Sequence, residues 1–250
     1  MANAKRIVIV GATSAIAIHC ARQWMRQGTV KMTLIGRDPG KLDRLALDLR
    51  ARSGDGFVET RIGRFDDAAG IQSTIDAITD TEQLDIVLIA HGSLSDQALC
   101  QSDLAMCQSE LLLNGVSPAL YAEGFVQKMQ AKNHGTIAVI SSVAGDRGRK
   151  SNYVYGAAKG LLTRYMQGLQ HRLAGSNVKA VLIKPGPTDT PMTAALKSQG
   201  AKLAPVEDVA TTIVKAIDAG QAVVYVPQKW ALIMMIVQHL PKFIFNKMNI

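Results

Sequence analysis

Three side chains that can handle a proton lie close together in the second half of the chain. Tyr155 and Lys159 are four positions apart, and Ser142 follows an apolar segment a short distance upstream. A free tyrosine phenol has a pKa of about 10 and is a weak acid at neutral pH. A lysine ammonium one helical turn away favours the phenolate, so we expect Lys159 to lower the pKa of Tyr155. With Ser142 holding a carbonyl oxygen, this set could protonate a carbonyl that receives a hydride.

The elements that must position these residues alternate between strand and helix. Apolar runs predict strands over residues 6–10, 31–35, 57–62, 84–90, 136–141, 178–184 and 222–226. Helical patterns occupy residues 15–27, 39–52, 67–78, 104–113, 116–131, 153–173 and 206–219. Strands that are apolar on both faces are typical of a parallel sheet covered by helices on both sides. We predict one α/β domain over residues 1–250, a Rossmann-type doubly wound parallel sheet of about seven strands, with an apolar C-terminal extension over residues 228–250.

The turn after the first predicted strand could bind a pyrophosphate. Gly11, Thr13, Ser14, Ala15 and Ile16 lead from that strand into the first helix. Small residues let the backbone approach phosphates closely, and the helix N-terminus favours negative charge. Ala15 stands where a stricter motif has glycine, so a plain strand-to-helix turn is the alternative.

The end of the second predicted strand bears on the choice of cofactor. An NAD-selective site usually has an acid here to hold the ribose hydroxyls. The chain has Gly36 and then Arg37, a planar cation suited to a 2′-phosphate. We therefore expect NADPH or NADP rather than NADH, unless Arg37 only faces solvent.

A fourth polar residue, Asn114 in the mid-chain helical region, and a turn beginning Pro185-Gly186 complete a known pattern. These residues and the spacing of Ser142, Tyr155 and Lys159 resemble the short-chain dehydrogenase/reductase family over nearly the whole chain. The resemblance implies a role for each of the following: Tyr155 as general acid or base, Ser142 orienting the carbonyl, Lys159 binding the nicotinamide ribose, Asn114 maintaining a proton relay, Thr188 near the carboxamide, and Thr190 on the pyrophosphate side.

Two segments depart from the family pattern. The usual Asn-Asn-Ala-Gly after the fourth strand is Ile-Ala-His-Gly at residues 89–92, so only Gly92 remains to approach the adenine ribose. Where the family has an acidic residue after the third strand, this chain has Arg64 followed by Phe65, although Asp66 is nearby. We interpret His91 as a turn or ribose-lining residue rather than a catalytic one.

Within the family, the chain is most similar to decaprenylphosphoryl-2-keto-ribose (erythro-pentose) reductase-like members. Residues 141–150, 152–156 and 240–247 carry this similarity. It implies reduction of a keto group on a lipid-phosphate-linked pentose. Arg147, Arg149 and Lys150 lie in the first of these segments, and at least one could hold a phosphodiester. A solvated basic loop is the alternative.

Composition limits the partners. The net charge is +8, which suits a phosphorylated cofactor, an anionic substrate or an anionic membrane, or is simply a solvated basic surface. Aromatic residues make up only 5%, too few to favour nucleic-acid binding. Three cysteines with no C-x-x-C pair suit the cytoplasm, and no metal site is predicted.

The C-terminal tail is apolar from residue 230 to residue 237, and aromatic residues follow Pro241 between Lys242 and Lys247. It is too short to span a bilayer. It could lie peripherally at the inner membrane surface, cover a lipid-binding cleft, or pack against the body or another subunit of a homo-oligomer.

The leading hypothesis is an NADPH-dependent carbonyl reductase acting on a small-molecule or lipid-linked ketone. The alternatives are a reductase or dehydrogenase of another lipophilic ketone or alcohol, 3-ketoacyl or steroid-like, and a non-catalytic dinucleotide-binding protein. The complete set of Asn114, Ser142, Tyr155 and Lys159 argues against the last, because a pure binding module does not need it.

Overall fold

Seven strands form one parallel sheet in the order β3-β2-β1-β4-β5-β6-β7. The computed structural model describes residues 4–52, 56–79, 83–94 and 96–248. The strands are β1 (Lys5–Val10), β2 (Val30–Gly36), β3 (Phe57–Ile62), β4 (Ile86–Ile89), β5 (Gly135–Ile140), β6 (Val178–Pro185) and β7 (Val223–Val226).

Helices connect the strands on both faces of the sheet. They are α1 (Ala15–Gln27), α2 (Pro39–Arg52), α3 (Ala68–Thr79), α4 (Gln97–Ser102), α5 (Leu104–Leu111), α6 (Ser117–Lys132), α7 (Tyr153–Arg172), α8 (Ala194–Ser198), α9 (Val206–Asp218), α10 (Lys229–His239) and α11 (Lys242–Phe245). The predicted fold class, a doubly wound parallel sheet of seven strands, is confirmed.

The alternation of side chains along the strands separates two hydrophobic cores. In β1, Ile7 and Ile9 pack with α1, α2 and α9, whereas Val8 and Val10 pack with α3, α6 and α7. All four side chains are fully buried. Burial on both faces explains why the strands read as continuous apolar runs.

The strand order reverses between β1 and β4, because β1 pairs with β2 on one side and with β4 on the other. Ligands bind in the crevice at the carboxyl ends of the strands where such a reversal occurs. The turn into α1 and the segments after β4, β5 and β6 all begin at this edge.

Three local features differ from the prediction. The two helices predicted over residues 104–113 and 116–131 are joined by a π-helical turn, Leu112–Val116. The short helix α4 was not predicted, although Asp96 caps it by accepting hydrogen bonds from the backbone of Ala98 and Leu99. The tail, to which no secondary structure was assigned from the sequence, forms the helices α10 and α11.

Candidate active site

The four predicted catalytic side chains meet in one cavity of about 380 Å³. Ser142 follows β5, Tyr155 and Lys159 project from the first two turns of α7, and Asn114 lies in the π-helical turn. Since residues four apart share a helix face, the spacing on α7 explains why Tyr155 and Lys159 line the same wall. The Lys159 Nζ lies 5.7 Å from the centre of the Tyr155 ring.

The pKa of Tyr155 departs from our expectation. Burial raises the pKa of the Tyr155 phenol, and this effect outweighs a lowering by a hydrogen bond with Ser142 and by the charge of Arg149. Lys159 is not among the groups that lower it, so the expectation that Lys159 lowers the Tyr155 pKa was wrong for this structure. The reason is desolvation, which penalises the phenolate when it is removed from water.

Lys159 is itself buried, with 3% of its surface exposed. Its Nζ donates a hydrogen bond to the Ile140 carbonyl at 3.2 Å. Desolvation lowers the pKa of the Lys159 ammonium from 10.5 to about 8. A neutral amine is therefore accessible to Lys159 at mildly alkaline pH.

Asn114 is fully buried and is held by hydrogen bonds to two residues, Glu110 and Ser93. Its Nδ2 donates to the Glu110 carboxylate at 2.8 Å and to the Ser93 hydroxyl at 3.2 Å, and its Oδ1 accepts from the Ser93 backbone at 2.9 Å. Glu110 and Ser93 were not predicted as site residues. The position of Glu110, one helical turn before Asn114, was the available signal.

Glycines allow the catalytic elements to approach one another. A Cβ on Gly92 would lie 2.8 Å from the Asn114 Oδ1 and 3.4 Å from the Lys159 Nζ. A Cβ on Gly115 would lie 2.9 Å from the Ala158 carbonyl oxygen on α7. Because neither glycine has a side chain, the π-helical turn can lie directly against α7.

A second cavity, of about 300 Å³, adjoins the first at the N-terminus of α1. Its lining includes all five residues predicted for the phosphate turn, together with Arg37, Phe65, Gly92 and Thr190. Gly11 has a φ of +76°, and a Cβ there would lie 2.5 Å from the His91 backbone nitrogen. Ser14, the N-cap residue just before α1, makes no side-chain capping bond, and the first turn contains no acid. This end of α1 thus fits a pyrophosphate.

Arg37 is one of the residues that line this second cavity. Its guanidinium carbon is 6.0 Å from the centre of the Phe65 ring, and the lining described for the cavity includes no carboxylate. Asp38, the adjacent acid, accepts a hydrogen bond from the Lys41 backbone at the start of α2. One oxygen of the carboxylate next to Arg37 is therefore bonded to the first turn of α2.

His91 lies between the two cavities and lines both. Its Nε2 is 3.0 Å from the Ser117 hydroxyl. Burial, with the charges of Lys159 and Arg37, lowers the pKa of His91 to about 3. The imidazole ring is therefore neutral throughout the physiological pH range, which suits a residue that lines the cavities better than a general acid.

The end of β6 and the segment that follows it form part of the wall of the catalytic cavity. Pro185, Gly186, Thr188 and Thr190 all line it, and Thr190 also lines the second cavity. A Cβ on Gly186 would lie 2.0 Å from the Trp230 Nε1. Trp230, at the start of α10, was not predicted as a site residue, because it lies far along the chain and only folding brings it here.

The three cations of the predicted basic loop have different surroundings. Arg147 binds the tail: its Nη1 donates to the Val237 and Leu240 carbonyls at 2.5 and 2.7 Å, and its guanidinium lies 3.8 Å from the centre of the Phe245 ring. Arg149 lines the catalytic cavity, whereas Lys150 is exposed.

A buried ion pair anchors this loop to the sheet. Asp146 contacts the Lys184 ammonium on β6, and their side chains are only 2% and 5% exposed. Asp146 also accepts a hydrogen bond from the Tyr225 hydroxyl on β7 at 2.9 Å. The pair connects the segment between Ser142 and Arg149 to two strands.

Two features are absent from the described part of the chain. It has no cluster of three or more His, Cys, Asp or Glu side chains that could hold a metal ion. None of its helices is both long enough and apolar enough to cross a bilayer.

Comparison with known proteins places the chain in a family. Residues 5–201 match the short chain dehydrogenase family. An uncharacterised oxidoreductase from Mycobacterium tuberculosis is 32% identical over 249 residues, which cover 98% of this chain and 98% of the relative.

Two solved structures share the fold. A short-chain dehydrogenase from Sphingobium yanoikuyae in complex with NADPH has a TM-score of 0.80 at 22% identity, covering 95% of this chain and 97% of its own. A short-chain dehydrogenase/reductase from Burkholderia phymatum in complex with NAD has a TM-score of 0.80 at 22% identity, covering 96% and 97%. From the family match and the named relative, this chain belongs to the short-chain dehydrogenase/reductase family and is an NAD(P)-dependent oxidoreductase.

Proposed function

We propose that the protein is an NADPH-dependent carbonyl reductase in which Tyr155 is the general acid. The observation that carries the proposal is the meeting of Ser142, Tyr155 and Lys159 in a cavity that opens onto the uncapped N-terminus of α1. This arrangement puts a proton donor beside the place where a dinucleotide would end.

The bound cofactor would supply the hydride, and the chain's own residues would supply orientation and the proton. The Ser142 Oγ accepts a hydrogen bond from the Ala144 backbone at 3.1 Å. Its O–H, which is hydrogen-bonded to Tyr155 in this structure, would donate to the carbonyl oxygen of a bound substrate. Because the Tyr155 pKa is raised, the phenol keeps its proton at neutral pH and can give it to the forming alkoxide.

The proton on Tyr155 must then be replaced. Lys159, with a pKa of about 8, can return a proton to the phenolate without a large energetic penalty. Asn114, held rigidly by Glu110 and Ser93, would maintain the relay on the far side of Lys159.

NADPH is the proposed cofactor because Arg37, at the end of β2, lines the second cavity and could hold a 2′-phosphate. The lining described there includes no acid to hold a ribose diol. Relatives in fold are found with either cofactor, so the proposal rests on Arg37 and not on them.

The proposed substrate is a ketone with a lipophilic portion, for which a lipid-phosphate-linked keto-sugar is the leading candidate. Apolar side chains line the catalytic cavity next to the reacting groups, among them Leu94, Val143, Met192 and Trp230. Another lipophilic ketone, 3-ketoacyl or steroid-like, is the alternative, and a ketone panel separates the two.

The test is NADPH oxidation with that panel, comparing Tyr155→Phe with Tyr153→Phe. Tyr153 lies on the same helix but is 44% exposed. Loss of the general acid should lower kcat/KM by about 10²–10⁴-fold, while Tyr153→Phe should leave it unchanged. Undiminished activity in Tyr155→Phe would refute the mechanism. No turnover by the wild type with any ketone would favour a non-catalytic dinucleotide-binding protein.

We further propose that the tail, residues 228–250, contacts a membrane peripherally from the cytoplasmic side. Met234 is buried against the body, but Leu232, Met235 and Phe243 are 59%, 54% and 70% exposed. No acid follows Asp218 in the sequence, and the tail has three lysines, which suits an anionic lipid surface.

Flotation with anionic phospholipid vesicles tests the membrane proposal. The double variant Leu232→Glu/Phe243→Glu should lose binding, whereas Leu47→Glu, at an equally exposed position on α2, should keep it. Equal binding by both variants would contradict a role for the tail.

We also propose that the single domain forms a homo-oligomer through α5, α6 and α7. Leu104, Leu120 and Leu161 on these helices are 83%, 37% and 44% exposed. Exposed apolar surface of this kind marks an interaction face. Light scattering should give an oligomeric mass that falls in Leu161→Glu, and a monomeric wild type would exclude this assembly.

A further inference from the structure

Arg149 is a cation in the lining of the catalytic cavity, and the described residues form no salt bridge with it. Its side chain is half-buried, and its Nε is shielded from solvent with no hydrogen-bond partner among the residues that the structure describes. Burial lowers the pKa of the guanidinium. A desolvated cation is costly unless an anion or acceptor approaches it, so the site is incomplete as it stands.

The rest of the cavity does not supply that anion. Its described lining contains two cations, Arg149 and Lys159, and no carboxylate. Lys159 already donates to the Ile140 carbonyl and is assigned to the proton relay. Arg149 therefore remains available for a group that enters with the substrate.

Arg149 is also close to the reacting centre. Its charge acts directly on Tyr155 and lowers the pKa of that phenol. Asn152, which lines the same wall, has a buried Oδ1 without a partner in the described residues. A donor fork and a free acceptor thus line the same cavity as Tyr155.

The neighbouring cations do not compete for this role. Arg147 is engaged with the tail carbonyls and the Phe245 ring. Lys150 is exposed and is not part of the cavity lining. Of the basic loop, only Arg149 faces the place where the carbonyl would be reduced.

We propose that Arg149 binds an anionic substituent, a phosphate or carboxylate, carried by the ketone close to its carbonyl, and that Asn152 accepts a hydrogen bond from a neighbouring hydroxyl. The inference rests on the proposed reductase function and adds a charge requirement to it. A guanidinium pairs with such oxyanions in a bidentate manner, which would also fix the orientation of the carbonyl towards Ser142 and Tyr155.

Matched pairs of ketones test the requirement. Dihydroxyacetone phosphate is compared with dihydroxyacetone, and levulinate with methyl levulinate, so that the two pairs distinguish phosphate from carboxylate. Arg149→Met should lower kcat/KM for an anionic ketone at least tenfold more than for its neutral partner, the effect expected of one charge-assisted hydrogen bond. Arg149→Lys should fall between Arg149→Met and the wild type, and Lys150→Met should match the wild type. An equal loss for both members of each pair, or no loss, would overturn the inference.

A binding measurement separates this inference from the proposed function. If the wild type reduces none of these ketones, dihydroxyacetone phosphate is titrated against the fluorescence of Trp230, which lines the same cavity, with Trp24→Phe as the background in every protein. At least tenfold weaker binding by Arg149→Met than by Arg149 protein would support the anion site. Equal affinity, or no detectable binding by either, would overturn it. Circular dichroism establishes that Arg149→Met is folded, and Arg149→Lys serves as the second variant if it is not.

Discussion

Replacement of the buried Lys159 should make the protein more stable while removing its activity. Lys159 is 3% exposed, and its pKa falls from 10.5 to about 8 on burial. A shift of about 2.5 pKa units corresponds to roughly 3 kcal/mol of destabilisation at pH 7, at 1.36 kcal/mol per unit. Lys159→Met removes this cost but also loses the hydrogen bond to the Ile140 carbonyl, worth about 1 kcal/mol. The expected net gain in the free energy of unfolding is about 2 kcal/mol.

The pH dependence has a definite sign. Between pH 8 and 10.5 the unfolded state holds the Lys159 proton and the folded state has released it. Stability of the wild type therefore rises with pH across this window relative to Lys159→Met. The advantage of the variant is full below pH 8 and disappears by about pH 10.5.

Urea unfolding of the cofactor-free proteins, followed by circular dichroism from pH 7 to pH 10.5, measures this difference. Other titrating groups are common to both proteins and cancel in the comparison. Lys150→Met, at an exposed lysine, is the matched control and should differ little from the wild type. A variant that is no more stable than the wild type at pH 7, or an advantage that does not shrink as the pH rises, would refute the reasoning.

Three further outcomes are expected. Arg37→Ser should lower the ratio of kcat/KM for NADPH to kcat/KM for NADH at least tenfold, because it removes a charge-assisted contact. Arg44→Ser, at an exposed position on α2, is the control. An unchanged ratio in Arg37→Ser would contradict the role of Arg37. Asp146→Asn should lower the free energy of unfolding by about 3–5 kcal/mol, because it leaves the buried Lys184 without its carboxylate partner. Urea unfolding measures the loss, and a loss below about 1 kcal/mol would contradict a desolvated ion pair. Gly115→Ala should cost about 1–3 kcal/mol by overpacking the π-helical turn against α7; a variant as stable and as active as the wild type would show that this contact can relax.

Much of the fold could be predicted because its signals are local. Continuous β-branched runs indicate strands buried on two faces, and helical periodicity indicates helices buried on one face. Both patterns depend on residues only a few positions apart. The π-helical turn around Asn114 could not be read this way. It depends on the close approach to α7 at Gly115 and on the contacts of Asn114 with Glu110 and Ser93.

The pKa values of Tyr155 and Lys159 could not be predicted from the sequence either. Four-residue spacing brought Tyr155 and Lys159 to one face, but their pKa values depend on how much water the surrounding elements exclude. The expectation that Lys159 would lower the Tyr155 pKa assumed a solvated pair, whereas burial dominates for both groups. The shift has its cause in tertiary packing, which spacing alone does not reveal.

The sequence by itself determined the doubly wound sheet, the order of its elements and the residue types that meet at its carboxyl edge, since these follow from short-range hydrophobic patterns and turn chemistry. Only the tertiary structure decided how Arg147 and Arg149, two residues apart in one loop, differ in their surroundings. Arg147 is held by carbonyls of the tail, and Arg149 lines the cavity beside Tyr155. The physical reason is that the environment of a charge is set by distant segments folded against it, here α10 and α7, and these neighbours are not encoded in the spacing of the charges themselves.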